Sequence, residues 1–452
     1  MHGAYIAGTS IPFSTLDELF VHVDEPSRPV TIHLEAQVDA RLDEERLREA
    51  TFAAASLHPL ARARLRPRDS DTEPYEWLVD GAPRLDPVRS MHVADAANLD
   101  VVRGELCSQS ISLDDSPPFR VLLVHTDGGD IVMLSVHHSA ADGVGVFRLL
   151  QSIGRAYAGV PDPTSGIDPG DAIRLALPSH DRDVADRLHA QQVADRRQEG
   201  APVLPQLARV HSRPAKLAMK DPSSAPGYGV HSIALPVRPL VDSPLRHRVG
   251  ATMNDMLLAA LHRAIDRWNT AHDTVPERVS VSMPLNARPD AWRDDVMANI
   301  FSAENVATTK VERQSAEDCV RAVARWTEQV KRRGIGAGLA ASTRSLVGGP
   351  SERRGLGTRL RASVEYLADT VSLSNTGTVP ADWVDSKEFP VTAVWGTPPT
   401  VGVRMGMGAS SMNDTLTLSF RYAHAVMSRA AAASFADLLR AELDGMVVAP
   451  HE

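Results

Sequence analysis

Two adjacent histidines at the end of an apolar run, His137 and His138, are the residues best placed by type and spacing to do chemistry. They lie in Val136-His137-His138-Ser139-Ala140-Ala141-Asp142-Gly143, with an aspartate four residues after the second histidine and a glycine behind it. Imidazole titrates near neutral pH and can take a proton from an alcohol or an amine. An aspartate fixed on a short loop is one way to hold such a ring in a working orientation. Neighbouring residues at a strand end point to opposite faces, so one ring faces a cleft and the other the interior. That geometry is poor for a shared metal, which takes histidines two apart on a strand or four apart on a helix. Two half-buried structural histidines are the bland alternative. The added Asp142-Gly143 after an apolar strand favours chemistry.

The flanking sequence supplies the scaffold. Residues 119–125 (Phe-Arg-Val-Leu-Leu-Val-His) read as a strand, Gly128-Gly129-Asp130 as a turn, and 131–136 as the returning strand of a buried hairpin. Residues 143–157 follow as a helix, with Val146, Leu149, Leu150, Ile153 and Tyr157 at helical spacing. Earlier, 31–38 suits a strand, 43–55 a helix stopped at His58-Pro59, and 62–65 the opening of another strand. In the second half, strands are expected at 230–237, 279–284, 371–374 and 415–422, and helices at 253–268, 316–331 and 428–443. Between 161 and 228 the composition shifts to Pro, Asp, Arg and Gln around a polar helix at 186–199, which suits an inter-domain crossover. The expected organisation is a first subdomain at 1–180, a linker at 181–229 and a second subdomain at 230–452. Each half mixes strands and helices, so two α/β layers side by side are expected.

At 452 residues the chain is too long for one ordinary core. Hydrophobic residues make up 43% and charged residues 23%, the balance of a soluble globular protein. A net charge of −9 argues against nucleic acid as the main partner, because phosphate binding needs concentrated Lys and Arg. Cys107 and Cys319 are far apart and suit neither a disulfide framework nor a thiolate metal site, which leaves buried free thiols. The N-terminus has acidic breaks at Asp17 and Glu18 and no basic region, so no signal peptide is expected. No apolar run approaches the roughly 18 residues of a membrane span. A cytoplasmic protein is the expectation.

The run from Met133 to Gly145 resembles the signature of the His-His-x-x-x-Asp-Gly acyltransferase superfamily. That superfamily includes non-ribosomal peptide condensation domains, polyketide-associated acyltransferases and wax ester synthase/diacylglycerol acyltransferases, and shares the chloramphenicol acetyltransferase-like fold. Other segments agree in order. Ser14-Thr15-Leu16-Asp17 resembles the opening Ser-x-x-(Asp/Glu) element, and Pro118-Phe119-Arg120 the strand entry before the hairpin. His58-Pro59-Leu60-Ala61-Arg62-Ala63-Arg64 resembles the Arg-His-x-x-Leu-Arg-x-Arg element, with Leu57 in place of the first Arg. Thr252-Met253-Asn254-Asp255 is similar to the Asn-Asp helix of wax ester synthase-like proteins. Pro284-Leu285-Asn286-Ala287-Arg288 followed by Asn299 is similar to their Pro-Val-x-x-Arg and Gly-Asn pair, with Ala298 replacing Gly. Ser374-Asn375-Thr376-Gly377 is similar to Ser-Asn-x-Gly. The anchors run from about residue 10 to 440.

The resemblance implies an α/β fold of two similar subdomains, with mixed sheets flanked by helices and a channel between them. It implies His138 as general base toward an alcohol or amine attacking an acyl thioester, a role worth roughly 10²–10⁴ in rate. His137, Asp142 and Gly143 would support the motif, with Arg288 or Arg62 as the partner of Asp142. Gly143 lets the chain turn tightly and leaves room in the channel. Ser374 and Asn375 are candidates for the oxyanion, and Asn254 is a further candidate contact. Asn254-Asp255, at a helix start, reads first as capping and second as packing against the channel. No metal and no resident cofactor are implied. Acyl-CoA or a phosphopantetheinyl acyl carrier would be the co-substrate, with an acyl or peptidyl carrier protein as possible partner and a small alcohol or amine as acceptor.

The linker holds Asp221-Pro222-Ser223-Ser224-Ala225-Pro226 where the wax ester branch carries Pro-Leu-Asn. That departure favours natural-product acyl transfer over lipid-ester synthesis. A condensation-like protein that binds a carrier without transferring acyl groups is the other alternative. Arg344, Arg353, Arg354, Arg359 and Arg361 could meet the phosphates of a thioester donor, but read first as a solvated helix face. The glycine-rich 334–349 stretch lacks a P-loop lysine and reads as a loop. No Gly-x-Ser-x-Gly elbow is present, so serine hydrolysis has no support.

Overall fold

The computed structural model describes residues 7–70, 72–163, 167, 169–176, 213–289, 295–333, 356–366, 368–384 and 386–447. The first half runs β1 (Ser10–Pro12), α1 (Thr15–Val23), β2 (Thr31–Val38), α2 (Glu44–Leu57), a 3-10 turn (Pro59–Arg62), β3 (Ala63–Leu65), β4 (Glu76–Val79) and β5 (Val88–His92). It continues with α3 (Ala96–Ser108), β6 (Phe119–Thr126), β7 (Gly129–His137), α4 (Gly143–Ala158) and α5 (Pro169–Ala176). The second half runs β8 (Tyr228–Pro236), α6 (Arg238–Val241), α7 (Pro244–Val249), α8 (Met253–Ala271), β9 (Arg278–Asn286), β10 (Phe301–Thr309) and α9 (Ala316–Arg333). It ends with α10 (Leu356–Tyr366), β11 (Val371–Thr378), β12 (Val391–Thr397), β13 (Met405–Met412), β14 (Thr415–Ala423) and α11 (Arg429–Val447).

The first half builds a five-stranded mixed sheet in the order β12-β2-β7-β6-β5. Its two central strands are buried on both faces, each for a separate reason. Ile32, Leu34, Ala36 and Val38 of β2 alternate onto the same core as Val132, Leu134 and Val136 of β7, under α2 and α4. Burying each such side chain stabilises the fold by about 1.5–3 kcal/mol. On the other face α3 covers His33 and Glu35. Arg103 donates to the Glu35 carboxylate at 2.7 and 2.8 Å, and His33 Nε2 lies 3.0 Å from it. The β6–β7 hairpin turns tightly at Gly129, whose φ is +114° and where a side chain would meet the Val38 carbonyl.

The second half forms a six-stranded mixed sheet, β10-β9-β11-β13-β14-β8, covered by α8, α9 and α11 through residues such as Leu258, Leu261, Val320, Phe435 and Leu439. A three-stranded sheet, β1-β4-β3, flanks the first half. The expectation of mixed sheets flanked by helices in both halves therefore describes the molecule. Cys107 and Cys319 are buried and free.

The halves are interlocked rather than merely adjacent. Strand β12 leaves the second half and pairs antiparallel with β2, so residues 391–397 complete the first sheet. Along its length β12 also presses against β13, and a side chain on Gly408 would collide with the Gly396 carbonyl. Fully buried Arg421 of β14 donates to the carbonyls of Thr31 at 2.7 Å and Pro29 at 3.0 Å.

The expected strands and helices of the described residues are present with shifted ends, apart from Arg62. It closes the 3-10 turn instead of opening a strand, because Pro59 starts a helical turn at its first position. Helices α1, α3, α5, α6 and α7 and strands β1, β4, β5, β10, β12 and β13 were not expected. Strand β13 (Met-Gly-Met-Gly-Ala-Ser-Ser-Met) is buried throughout: Met405, Met407 and Ala409 alternate into the second core, and the small residues between them are what the crossing of two sheets requires. The expected helix at 186–199, most of the linker and the glycine-rich 334–349 stretch lie outside the described residues.

Candidate active site

Strand β7 delivers His137 in register with Thr31 of β2, and the chain then leaves the sheet. His138 N donates to the Val30 carbonyl at 2.8 Å, and Asp142 N to the Ala298 carbonyl at 3.2 Å. The histidine loop is thus fastened to both halves. Asp142 ends the loop as the N-cap of α4, its Oδ1 accepting from Gly145 N at 2.9 Å.

The two rings are held as opposite tautomers. Ser139 N donates to His137 Nδ1 at 3.1 Å, so the proton of His137 sits on Nε2, 3.6 Å from Asp24 Oδ2. The His138 ring stacks on Phe20, centroids 3.8 Å apart and planes 16° apart, with Phe301 at 5.6 Å. Its Nδ1 lies 3.2 Å from Asn299 Oδ1. The Asn299 amide nitrogen faces Asp17 Oδ1 at 2.9 Å, the His138 carbonyl at 2.5 Å and the Ser139 carbonyl at 2.9 Å. Three acceptors around one end of the carboxamide identify that end as NH₂. The other end is oxygen, so His138 Nδ1 carries the proton and Nε2 keeps its lone pair.

His138 lines a cavity of about 380 Å³ between the halves. One wall is apolar, from Ile32, Leu34, Val144 and Phe147; the facing wall carries Asn254, Met283, Ser374 and Asn375. Burial holds the His138 imidazole down to about 4, opposed first by a hydrogen bond from the ring to its own backbone carbonyl and then by the Asp142 carboxylate and the Asn299 bond. The ring is therefore neutral at pH 7, with an open nitrogen.

Asp142 is braced from the second half. Arg288 Nη1 donates to its Oδ2 at 2.7 Å and Nη2 to its Oδ1 at 2.9 Å, while Ile300 N donates to Oδ2 at 2.8 Å. Arg288 also donates to the carbonyls of Val296 and Ala298 at 2.9 and 2.8 Å. Arg62, the other arginine considered for Asp142, is corrected here: its guanidinium donates to the Asp80 carbonyl. The 3-10 turn aims it at the β4 end instead of the histidine loop. Gly143 is corrected in its reason. Its φ is not positive, so the turn does not demand glycine. A side chain there would grow into open cavity, with Ser374 Oγ at 4.0 Å.

Asn254 does not cap α8. Thr252 is the N-cap, and Asp255 completes a reciprocal capping box with it, while also accepting from Thr327 Oγ at 2.7 Å. Asn254, one residue earlier on the turn, points instead into the cavity. Its Oδ1 accepts from Asn375 Nδ2 at 3.1 Å, and its amide donates to the thioether of Met283 at 3.0 Å, a weak acceptor. Asn375 Oδ1 accepts from Gly377 N at 2.9 Å across a bulge in β11, so its orientation is set too.

Of the basic stretch, Arg344, Arg353 and Arg354 lie outside the described residues. Arg361 donates to the His22 carbonyl at 2.9 Å, on the α1 side of the molecule. Among the described residues no cluster of three or more His, Cys, Asp or Glu is arranged to hold a metal, and no helix is long and apolar enough to cross a membrane. Four residues at the site had no role assigned from sequence: Asp17, Phe20, Asn299 and Phe301. Asn299 stood out only as half of a Gly-Asn resemblance. The Ser14-x-x-Asp17 spacing is a legible capping signal for α1, and finding that helix would have placed Phe20 on its inner face.

No family model matches the chain. Over 443 residues it is 31% identical to the uncharacterized protein Rv2305 of Mycobacterium tuberculosis strain H37Rv, an alignment covering 95% of this chain and 98% of that protein. Among solved structures, the first condensation domain of the CDA synthetase superposes with a TM-score of 0.70 at 14% identity, covering 99% of this chain and 98% of that one. The epimerization domain from the third module of tyrocidine synthetase B gives 0.65 at 18% identity, covering 98% and 97%. The condensation domain of the Monacolin K polyketide synthase MokA gives 0.66 at 13% identity, covering 98% of both chains. With a relative at 31% identity over nearly the full length of both chains, this chain belongs to the family of Rv2305, and its fold is that of the condensation and epimerization domains.

Proposed function

We propose that the protein is an acyltransferase that moves an acyl group from a thioester to an alcohol or amine. The observation that carries this reading is the open Nε2 of a neutral, firmly oriented His138 at the wall of an inter-half cavity. As the acceptor attacks the thioester carbonyl, its O–H or N–H proton passes to Nε2. The tetrahedral intermediate then collapses with cleavage of the C–S bond, and the proton leaves with the thiol. The products are an ester or amide and the free thiol. The imidazolium formed on the way is stabilised by Asn299 Oδ1 and by the negative charge of Asp142.

The amide of Asn254, whose partner is a thioether, is the donor best able to turn to a developing oxyanion, and Ser374 lines the same wall. CoA or a carrier-borne phosphopantetheine supplies the thioester. The condensation and epimerization domains among the structural relatives favour natural-product assembly as the setting, as does the linker's departure from the wax ester pattern.

The test compares wild type with His138→Ala on acyl-CoA and acyl-carrier-protein donors with a panel of alcohols and amines. Wild-type transfer that falls by about 10²–10⁴ in the variant is expected. Equal turnover in both proteins refutes the base. Retention of a carrier protein without any transfer refutes the enzyme reading in favour of a binding role.

A further inference from the structure

We propose that Asp17 is a positioning residue for His138, acting through Asn299 to fix which imidazole nitrogen is open to the cavity. Its kinetic consequence rests on the acyl-transfer reading above; the tautomer itself does not.

Asp17 is the third residue of α1 and closes a capping box: Asp17 N donates to Ser14 Oγ at 3.1 Å, and Ser14 N donates to Asp17 Oδ2 at 2.8 Å. A capping carboxylate needs nothing more, and such groups are ordinarily wet. This one is 1% exposed, and its second oxygen accepts from Asn299 Nδ2 at 2.9 Å. Burying a carboxylate is costly unless its lone pairs are satisfied, so the position is explained by what it holds as much as by the cap. Burial pushes the Asp17 carboxyl up to about 6, in keeping with that cost.

The three acceptors around Asn299 Nδ2 are not equivalent. The carbonyls of His138 and Ser139 belong to the histidine loop and move with it. Asp17 alone ties the carboxamide to a different element. Three residues further along the same face of α1, Phe20 stacks on the His138 ring. Ser139 Oγ adds a bond to the Asp17 carbonyl at 3.0 Å. One short helix thus grips the imidazole twice, through Asn299 at its edge and through Phe20 on its face. Without Asp17, the carboxamide loses its fixed anchor. Once it rotates, its NH₂ can meet Nδ1; only the bond from the ring to its own carbonyl then keeps the proton there, and part of the population shifts to Nε2, the nitrogen that has to accept from the acceptor.

The experiment uses full-length protein with ¹⁵N-labelled histidine, the His138 signals being assigned with His138→Gln. In wild type, Nδ1 is expected as the protonated nitrogen and Nε2 as the bare one. Asp17→Ala is expected to populate the Nε2-protonated form and to lower kcat at least about tenfold, with KM little changed. Asp17→Asn, which keeps the side-chain volume, is expected to shift the tautomer in the same direction and serves if the alanine variant does not fold. Ser14→Ala, which removes the hydroxyl half of the cap, is the stability control: a lower Tm with the wild-type tautomer. A wild-type tautomer in folded Asp17→Ala or Asp17→Asn overturns the proposal, as does a shifted tautomer in Ser14→Ala. A tautomer shift in a protein that transfers no acyl group supports the positioning role and fails the acyl-transfer reading alone.

Discussion

Arg288 and Asp142 meet through two parallel N–H···O bonds of 2.7 and 2.9 Å across the seam between the halves of the chain. The pair is buried, and each partner has a second task. Asp142 caps α4 and accepts from Ile300 N, while Arg288 satisfies the Val296 and Ala298 carbonyls. The loop that presents His138 is therefore closed by a residue 146 positions away.

Removing the guanidinium leaves a buried carboxylate with only the Ile300 and Gly145 N–H groups as donors and no balancing charge, and takes one donor each from the Val296 and Ala298 carbonyls. Arg288→Met is expected to lower unfolding free energy by about 3–5 kcal/mol, the usual loss when one side of a buried pair is deleted. Arg288→Lys recovers only part, because an ammonium cannot form the two-pronged contact. Denaturant titration measures both. A loss below about 1 kcal/mol in Arg288→Met would show that water reaches Asp142.

The acid side of the rate profile is expected to report Asp17 before His138. Burial raises the Asp17 carboxyl to about 6 and lowers the His138 imidazole to about 4. The working forms are ionised Asp17 and neutral His138, both deprotonated, so kcat/KM rises with pH through each value and is level above the higher one. Half-maximal kcat/KM is expected near pH 6. In Asp17→Asn that limb disappears, and the residual rate holds down toward pH 4. A limb near 6 that survives the substitution would assign it to another group.

Asn254 and Ser374 can be separated by kinetics. If the Asn254 amide turns from the Met283 thioether to the oxyanion, Asn254→Ala loses about 10²–10³ in kcat with a smaller change in KM. Ser374→Ala, at the mouth of α4 and outside the Asn254–Asn375 bond, is expected to change KM more than kcat. The reverse pattern would exchange their roles.

Gly143 tests the cavity itself. Its backbone conformation suits any residue and nothing fills the space beside it, so Gly143→Leu is expected to fold with a wild-type Tm. The new side chain projects toward Ser374 and narrows the passage past His138. Acyl transfer is expected to fall steeply for large acceptors and less for small ones, measured as kcat/KM across an acceptor series. A uniform loss would place the acceptor route elsewhere.

Much of the scaffold was legible because it is local. The β6–β7 hairpin, the stripe Val146-Leu149-Leu150-Ile153-Tyr157 and the amphipathic run of α8 each declare their period within a dozen residues. Strand β12 did not, and the short Met405-Met407-Ala409 alternation of β13 is diluted by glycine and serine, since both strands are shaped by a crossing of two sheets, and a one-dimensional pattern carries no record of what crosses it. The same limit separates Arg288 from Arg62: the sequence offers both as partners for Asp142, and only the paths of β9 and of the Pro59–Arg62 turn decide between them.

From the sequence alone, then, came the His-His-x-x-x-Asp-Gly loop, the strand that ends in it, and the opposite facing of its two rings. Those follow from backbone alternation, which neighbours in sequence settle. The tautomer of His138, its depressed basicity and the burial of Asp17 belong to the tertiary structure. They arise from Asn299, Phe20 and the low polarity of a closed seam, groups that folding brings to the motif and whose contact with His138 no spacing along the chain records.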